Sequence, residues 1–213
     1  MKVIFLVLIL SVPLCAGTPK VIFTRSFPGS APEYFAISVD RAGLLQYKES
    51  PSDKQPLTAQ LQEADTAALF SMAEKLDYFK LPLESGLKVA NTGKKTFRYE
   101  NENGNATEVS FNYPVNETAR VLLERFEQIG ETERAYLDLD RAVHYDKLGV
   151  NQALAEIESL WLRKQLVAPL QFIPLFNRIV THETYMHLVR ERAAKLRDEF
   201  QAPVSPSSAQ KSK

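Results

Sequence analysis

The sequence is short of the residue types and motifs on which most catalytic sites depend. Among 213 residues it has one cysteine, Cys15, and three histidines, so few side chains could hold zinc or act as a nucleophile. It contains neither the glycine-rich loops of nucleotide-binding proteins nor the G-x-S-x-G pattern of serine hydrolases. Its 26 basic and 26 acidic residues balance, which argues against nucleic acid or an anionic membrane surface as the main partner.

The N-terminus carries the pattern of a secretory signal peptide, which we assign to residues 1–17. Lys2 precedes an apolar run from Val3 to Leu14, which is shorter than the roughly 20 residues that span a bilayer. Small residues follow, and cleavage is expected after Gly17 or, alternatively, after Ala16. We therefore expect a periplasmic or secreted protein whose mature chain has no transmembrane segment.

Cys15 lies inside this predicted leader. Its removal leaves a mature chain without cysteine, which excludes disulfides, thiolate zinc sites and a cysteine nucleophile. A lipid anchor on Cys15 is the alternative, although Leu14 is bulkier than the small residue that lipoprotein signals place there. A cysteine-free domain must be stabilised by its apolar core, and this chain is long enough to bury one.

Alternating apolar residues in YFAISVDRAGLLQY predict a β-hairpin. A loop of residues 41–43 pairs Val39 with Leu45 and Ile37 with Tyr47, which keeps all four side chains on one face. The loop ends in a glycine, the residue best suited to the left-handed conformation that this loop type needs.

A second hairpin is predicted in KKTFRYENENGNATEVSFNY. Phe97 and Tyr99 share a face with Val109 and Phe111 only if the loop between them has an odd number of residues. We expect the loop to be residues 103–105, whose last asparagine tolerates the left-handed conformation.

Two further strands and two helices complete an α+β domain over residues 18–130. The strands are KVIFTRS and, less regularly, LTAQL, and the helices run from residue 63 to 77 and onward from an Asn116 cap. Their predicted core residues are Leu69, Met72, Leu76 and Phe79 in the first helix and Ala119, Leu122, Leu123, Phe126 and Ile129 in the second. The expected fold is an antiparallel sheet of four or five strands with helices on one face.

Residues 131–201 show only helical periodicity and are predicted to form an all-helical extension. The polar, proline- and serine-rich residues 202–213 are expected to be disordered. Helix boundaries in the extension are expected near Gly149, Asn151 and Pro169, with a kink at Pro174 and a last helix from Thr181.

The stretch THETYMH resembles the zinc-protease motif H-E-x-x-H without matching it. His182 and His187 are five residues apart, which places them about 140° apart around a helix instead of on one face. We interpret the stretch as a helix start, with Thr181 as N-cap and Glu183 paired with His187. The apolar stripe that follows would comprise Tyr185, Leu188, Val189, Ala193, Leu196 and Phe200.

The best remaining candidate site is LDLDRAVHYD, which also contains Asp138 and Asp146. Asp140 and His144 are four residues apart and could meet as metal ligands or as a base with its orienting carboxylate. A solvated helix face is the interpretation we prefer, and we predict no metal and no cofactor. More generally, we expect the ionisable side chains to be spread over wetted surfaces and not gathered in a pocket.

The runs PGSAPEYFAISVDRAGLLQY, VANTGKKTFRYE and YDKLGV resemble uncharacterised exported bacterial proteins that carry a domain of unknown function. The N-terminal part also resembles emfourin-type protease-inhibitor domains, in which a strand is followed by an SGGFAG loop. The matching segment here is RSFPGSAP, with Phe27 and Pro28 in place of small residues. That resemblance implies an inhibitory loop at Phe27–Pro32.

We therefore expect an exported, non-enzymatic binding or structural module of the cell envelope, with a protein as the partner class. One alternative is an inhibitor of an extracellular protease. Another is a hydrolase with a site near Asp140 and His144.

Overall fold

The computed structural model describes residues 17–202. The predicted leader residues Ala16 and Cys15 and nearly all of the predicted C-terminal tail lie outside the described residues. Residues 17–202 form an α+β fold, as expected, but the sheet has six strands and not four or five. The count is wrong because both short strand candidates outside the hairpins pair into the sheet.

The sheet is antiparallel throughout and its strand order is β4-β3-β2-β1-β5-β6. The strands are β1 Lys20–Ser26, β2 Tyr34–Asp40, β3 Leu44–Lys48, β4 Leu57–Gln60, β5 Lys94–Glu100 and β6 Ala106–Phe111. Strand β1 lies in the interior of the sheet and joins the two predicted hairpins by pairing with β2 and β5.

The first hairpin has the predicted register. Ile37 lies opposite Tyr47 and Val39 lies opposite Leu45, and all four side chains are buried. Gly43 closes the loop with φ of 82°, in the left-handed region. The alternation of apolar residues and the position of the glycine were therefore sufficient to predict this hairpin.

The second hairpin has the predicted faces but not the predicted register. Phe97 lies opposite Val109, and the Asn101 amide donates to the Asn105 carbonyl at 3.0 Å. The loop therefore ends on Gly104, with φ of 77°, one residue earlier than expected. Glycine adopts the left-handed conformation at less cost than asparagine, so the loop closes around it. The pairing moves by two residues, which leaves every side chain on the same face.

Five α-helices accompany the sheet, and none of them within residues 17–202 is long and apolar enough to cross a membrane. They are α1 Glu63–Lys75, α2 Glu117–Tyr145, α3 Val150–Leu162, α4 Ile173–Thr181 and α5 His187–Gln201. Helix α2 begins as predicted, with Asn116 Oδ1 accepting from the Ala119 amide at 3.3 Å. Pro174 lies in the first turn of α4, directly after a 3₁₀ turn that Pro169 opens.

The apolar side chains form two core clusters, and α2 contributes to both. One cluster lies between the sheet and the helices α1 and α2. The other lies between the C-terminal half of α2 and the helices α3, α4 and α5. Residue 130, the predicted end of the first domain, lies inside continuous helix, and the domain boundary stays a prediction.

The helix predicted from Thr181 does not begin there. Thr181 instead ends α4, its hydroxyl donating to the Asn177 carbonyl at 3.0 Å. Tyr185 is turned inward, and its hydroxyl donates to the Val143 carbonyl at 3.2 Å, which holds the preceding residues in a turn. Helix α5 therefore starts only at His187.

The predicted apolar stripe of this helix is right from Val189 onward, where Val189, Ala193, Leu196 and Phe200 are buried. Leu188 is 62% exposed and does not belong to the stripe. The predicted pairing of Glu183 with His187 is also wrong. His187 pairs instead with Glu191, with 3.3 Å between Nδ1 and Oε2.

We predict that the two loop glycines differ in their tolerance of a side chain. Gly104→Ala meets no atom within 4 Å and should lower the free energy of unfolding by about 1 kcal/mol, the cost of the left-handed conformation. At Gly43 a Cβ would lie 2.9 Å from both the Leu61 carbonyl and Thr66 Oγ1, so Gly43→Ala should cost about 3 kcal/mol. Urea unfolding followed by circular dichroism measures both, and equal losses would contradict the close approach.

Candidate functional site

Asp140 and His144 meet at the surface of α2. His144 Nδ1 lies 2.8 Å from the Asp140 carbonyl oxygen and 3.3 Å from its Oδ1. On the other side of the ring, Nε2 lies 2.8 Å from Nη1 of Arg178. Because a guanidinium can only donate, this contact requires Nε2 to accept, and Nδ1 is left to donate to Asp140. Both ring nitrogens therefore have a hydrogen-bond partner within the protein.

The remaining members of the predicted group do not join this pair. Within residues 17–202, no three His, Cys, Asp or Glu side chains are arranged to hold a metal ion. The ring of His182 lies beside that of Tyr185, with centroids 6.5 Å apart. The other side chains contact local partners: Asp138 with Arg141, Asp146 with the Gly149 amide and His187 with Glu191.

A different group of charged residues lies on the core face of the sheet. Arg25 on β1 and Lys95 on β5 are directly opposite each other. Their side chains point to the same face as the buried Phe23 and Phe97, which form the neighbouring pair. Like charges opposite each other in an antiparallel pair are destabilising, so this pair needs compensation from its surroundings.

Lys95 is compensated mainly by neutral oxygens. It is only 4% exposed, and its Nζ donates to Thr92 Oγ1 at 2.7 Å and to the Asn112 carbonyl at 3.0 Å. Burial lowers the pKa of Lys95, the negative charge of Glu127 partly offsets this, and Arg25 lowers it further. The ammonium group is thus held at the edge of the core at an energetic cost.

Arg25 is surrounded by aromatic rings. Its guanidinium carbon lies 6.0 Å from the ring centroids of both Phe27 and Phe35. Its Nε is buried and has no hydrogen-bond partner among the described residues. Rings stabilise a cation through their faces but accept no conventional hydrogen bond, so the donor capacity of Arg25 is incompletely used.

Glu127 is the carboxylate whose charge acts most strongly on Lys95, and Glu84 acts on it less strongly. Glu127 follows Phe126, whose ring stacks on that of Phe23 at a centroid distance of 5.3 Å. Burial raises the pKa of Glu127, and the charges of Lys95 and Arg25 partly oppose this. Between residues 17 and 202, no ion pair joins Glu127 directly to either cation.

A cavity of about 210 Å³ opens beside this group, between α2 and the β1–β2 connection. We call it the loop pocket, and its lining includes Arg25, Phe35, Tyr47, Glu127, Gly130, Glu131 and Arg134. A Cβ on Gly130 would lie 3.1 Å from the Phe35 ring, so the glycine lets α2 approach the sheet closely. Burial raises the pKa of Tyr47, whose hydroxyl donates to Glu49 at 2.9 Å.

The Phe27–Pro32 loop forms one wall of the pocket and is held by a dense set of hydrogen bonds. The Phe27 amide donates to the Glu33 carbonyl at 2.8 Å, and the Gly29 amide donates to Glu33 Oε1 at 3.1 Å. Ser30 Oγ lies 2.7 Å from the carbonyl oxygens of both Phe27 and Pro32. From α2, Arg134 Nη1 donates to the Ala31 carbonyl at 2.6 Å. The loop is therefore fixed both internally and against the helix.

Glu133, on the neighbouring turn of α2, is the most deeply buried carboxyl group among the described residues. It is 1% exposed, and its Oε1 accepts from Gln171 Nε2 at 3.0 Å. Its Oε2 and the Gln171 Oε1 have no partner in residues 17–202. Burial raises the pKa of Glu133 to about 7, and the Gln171 hydrogen bond lowers it to a lesser extent.

The chain segment that carries Gln171 is attached to α2 at a second point. Thr132, fully buried, accepts from the Val167 amide at 3.0 Å and donates to the Gln128 carbonyl at 2.9 Å. Val167 belongs to the core cluster under the sheet, so this segment joins the two halves of the molecule. Glu133 is therefore hydrogen-bonded to a segment that contributes to both core clusters.

The expectation that all ionisable side chains lie on wetted surfaces is wrong at these positions. The sequence carried a usable signal: Arg25 continues the alternation of Val21 and Phe23, and Lys95 precedes Phe97 by two residues. Glu133 follows Ile129 by four residues and so falls on the apolar stripe of α2.

We predict that Glu133 makes the stability of the protein depend on pH. The pKa of the Glu133 carboxyl group is about 7 in the folded protein and near 4.5 in the unfolded chain, so the folded state binds the proton more tightly. The free energy of unfolding is therefore highest below pH 4.5 and decreases as the pH rises to about 7. Between pH 4.5 and 7.5 the free energy of unfolding of the wild type should fall by about 3 kcal/mol because of Glu133, and this contribution should be absent from Glu133→Gln. Urea unfolding at both pH values measures it, with the exposed Glu131→Gln as control. The prediction would be contradicted if the free energy of unfolding changed with pH as much in Glu133→Gln as in the wild type.

Comparison with known proteins gives no relative from which a function could be transferred. No family model, no curated protein and no solved structure matches this chain. Any function therefore has to be argued from the residues of the chain itself.

Proposed function

We propose that this protein is an exported, non-enzymatic binding module of the cell envelope. Its contact surface would be the Phe27–Pro32 loop together with the loop pocket. The observation that carries the proposal is the fixation of an exposed loop by six hydrogen-bond contacts. They are the five described above, one of which comes from α2, and a sixth from the Ser30 amide to the Phe27 carbonyl at 3.1 Å. A loop that is already ordered loses little conformational entropy when a partner binds, which favours recognition.

The chemistry of the pocket supports binding more than catalysis. Buried and pKa-shifted groups beside a cavity are typical of functional sites. The described lining, however, has no serine, cysteine or histidine that could act as a nucleophile, and its carboxyl groups are those of Glu127 and Glu131. Tyr47, with its raised pKa, stays protonated and can offer only a hydrogen bond.

The cell-envelope assignment rests on the sequence of the leader. Lys2, the apolar run to Leu14 and the small residues up to Gly17 are the pattern of an export signal. Export would bring the loop into contact with extracytoplasmic proteins.

The second candidate is inhibition of an extracellular protease, and the same loop favours it. Tight protease inhibitors present a segment that is rigid before binding, and the bridging contacts of Ser30 and the Arg134 anchor give this loop that property. The resemblance of the RSFPGSAP segment to the emfourin-type loop adds to this candidate.

We predict that a charge at the tip of the loop abolishes partner capture. Pro28 is exposed, so Pro28→Glu should leave the fold intact while placing an unpaired carboxylate in the contact. The matched control is Asn103→Glu, which makes the same charge change on an exposed loop at the opposite end of the sheet.

Immobilised mature chain would be used to capture proteins from periplasm and culture supernatant, with mass spectrometry as readout. Proteins retained by the wild type and by Asn103→Glu but lost by Pro28→Glu support the proposal. A captured peptidase whose turnover is slowed by the wild type alone selects the inhibitor candidate. Capture that survives Pro28→Glu and is lost in Asn103→Glu would place the contact elsewhere.

A further inference from the structure

One face of α2 carries a regularly spaced series of polar side chains. Their spacing alternates between four and three residues, which keeps all of them within about 40° of one line along a straight helix. All are exposed except the first, which is half-buried. We call the series the α2 stripe, and its members are Glu127, Glu131, Arg134, Asp138, Arg141 and Tyr145.

A shallow groove runs beside the α2 stripe. The loop pocket adjoins a cavity of about 440 Å³ through Glu131 and Arg134, which line both. That cavity adjoins a third one, of about 340 Å³ between α2 and α3, through Asp138. On the α3 side, Arg163 Nη2 lies 3.9 Å from Glu156 Oε1, so the far wall contributes little net charge. The charge that a partner would meet along this groove is therefore mainly that of the stripe.

The α2 stripe is complementary in charge to its own reverse. An antiparallel second copy of α2, centred on residue 136, places its Arg141 opposite Glu131 and its Asp138 opposite Arg134. Because such a contact is two-fold symmetric, each of these opposite-charge pairs occurs twice. A parallel arrangement would instead place every charge opposite its own copy, which is repulsive. The pattern therefore favours an antiparallel second copy as the occupant.

The two ends of the stripe match in the same register. Tyr145 is 87% exposed, which is unusual for a large aromatic side chain. The same centre of symmetry places it opposite Glu127 of the second copy, at the loop pocket. There its hydroxyl can donate to the carboxylate while its ring is removed from water.

We propose that the α2 stripe is an interface between two copies of this chain, packed antiparallel about a two-fold axis at residue 136. The inference goes beyond the proposed function and does not depend on it. Arg134 uses Nη1 for the Ala31 carbonyl, which leaves its other donors for Asp138 of the second copy. Asp138 and Arg141 pair within each copy at 3.0 Å, but exposed pairs of this kind are weak and can exchange partners.

An interface built from exposed charges has a defined behaviour in solution. Its ion pairs are individually weak and are screened by salt. The dimer should therefore be reversible, dissociating on dilution and at high ionic strength.

The test is sedimentation equilibrium of the purified mature chain at up to about 1 mM protein, in low and in high salt. Glu131→Arg and Arg141→Glu should each raise the dissociation constant of the dimer at least about tenfold, because each places like charges opposite each other. The double variant that combines both substitutions exchanges the two charges and should restore the wild-type constant. The control Glu74→Arg makes the same charge change at an exposed position of α1 and should leave the constant unchanged.

The inference is overturned if the wild type is monomeric at every concentration, or if its dimer is insensitive to salt. It is equally overturned if the dimer survives both single variants, or if the folded double variant stays monomeric. Circular dichroism of each variant checks the fold. If Glu131→Arg loses its folded spectrum, Arg141→Glu tests the same pair from a position outside the loop pocket.

Sedimentation of the purified chain involves no external partner, so this inference and the proposed function can fail separately. A dimer without loop-dependent capture means that the stripe is right and the proposed partner surface is wrong. Capture that depends on Pro28 by a chain that stays monomeric means the reverse.

Discussion

The structure depends on one constraint: a single long helix packs against the sheet with its first half and against three other helices with its second. Helix α2 has 29 residues and is about 43 Å long. The helix approaches the sheet closely at Gly130, where a Cβ would lie 3.1 Å from the Phe35 ring. Glycine inside a helix lowers its stability, and the close packing of α2 against the sheet offsets this. Because the helix is fixed there, Glu127 is placed over the two sheet cations, Arg134 at the loop, and Glu133 at the join between the two cores.

Local patterns predicted the faces of elements better than their ends. In the second hairpin, the alternation of Phe97 and Tyr99 fixes which side chains point inward, but it is unchanged when the pairing moves by two residues. Only the glycine in the loop distinguishes the two registers, and the choice of Asn105 over Gly104 for the left-handed position was the error. The start of α5 failed for a different reason. The inward turn of Tyr185 depends on the Val143 carbonyl, 42 residues earlier, and no local signal reports that contact.

The candidate site was harder to predict than the fold, because its charged residues occupy apolar positions in otherwise regular patterns. A charged residue at the end of a strand, as Arg25 and Lys95 are, commonly extends its head group to water, and the strand pattern is the same in either case. Whether the two meet depends on the pairing of β1 with β5, which are separated along the chain by β2, β3, β4 and α1. The Asp140–His144 pair shows the converse. Its spacing predicted the contact correctly, but the contact from Arg178 that occupies Nε2 comes from another helix.

The charges around the loop pocket are costly, and the manner of their burial is informative. Replacing buried ionic groups by apolar ones of similar size often stabilises a protein, so an arrangement that keeps them is not explained by stability. Here Arg25 and Lys95 lie opposite each other on the core side of the sheet, and within residues 17–202 Glu127 forms no direct ion pair with either of them. The buried ammonium of Lys95 and the carboxyl group of Glu127 therefore lower the stability of the fold relative to an apolar core, and the charge of Arg25 is compensated mainly by the two aromatic rings beside it.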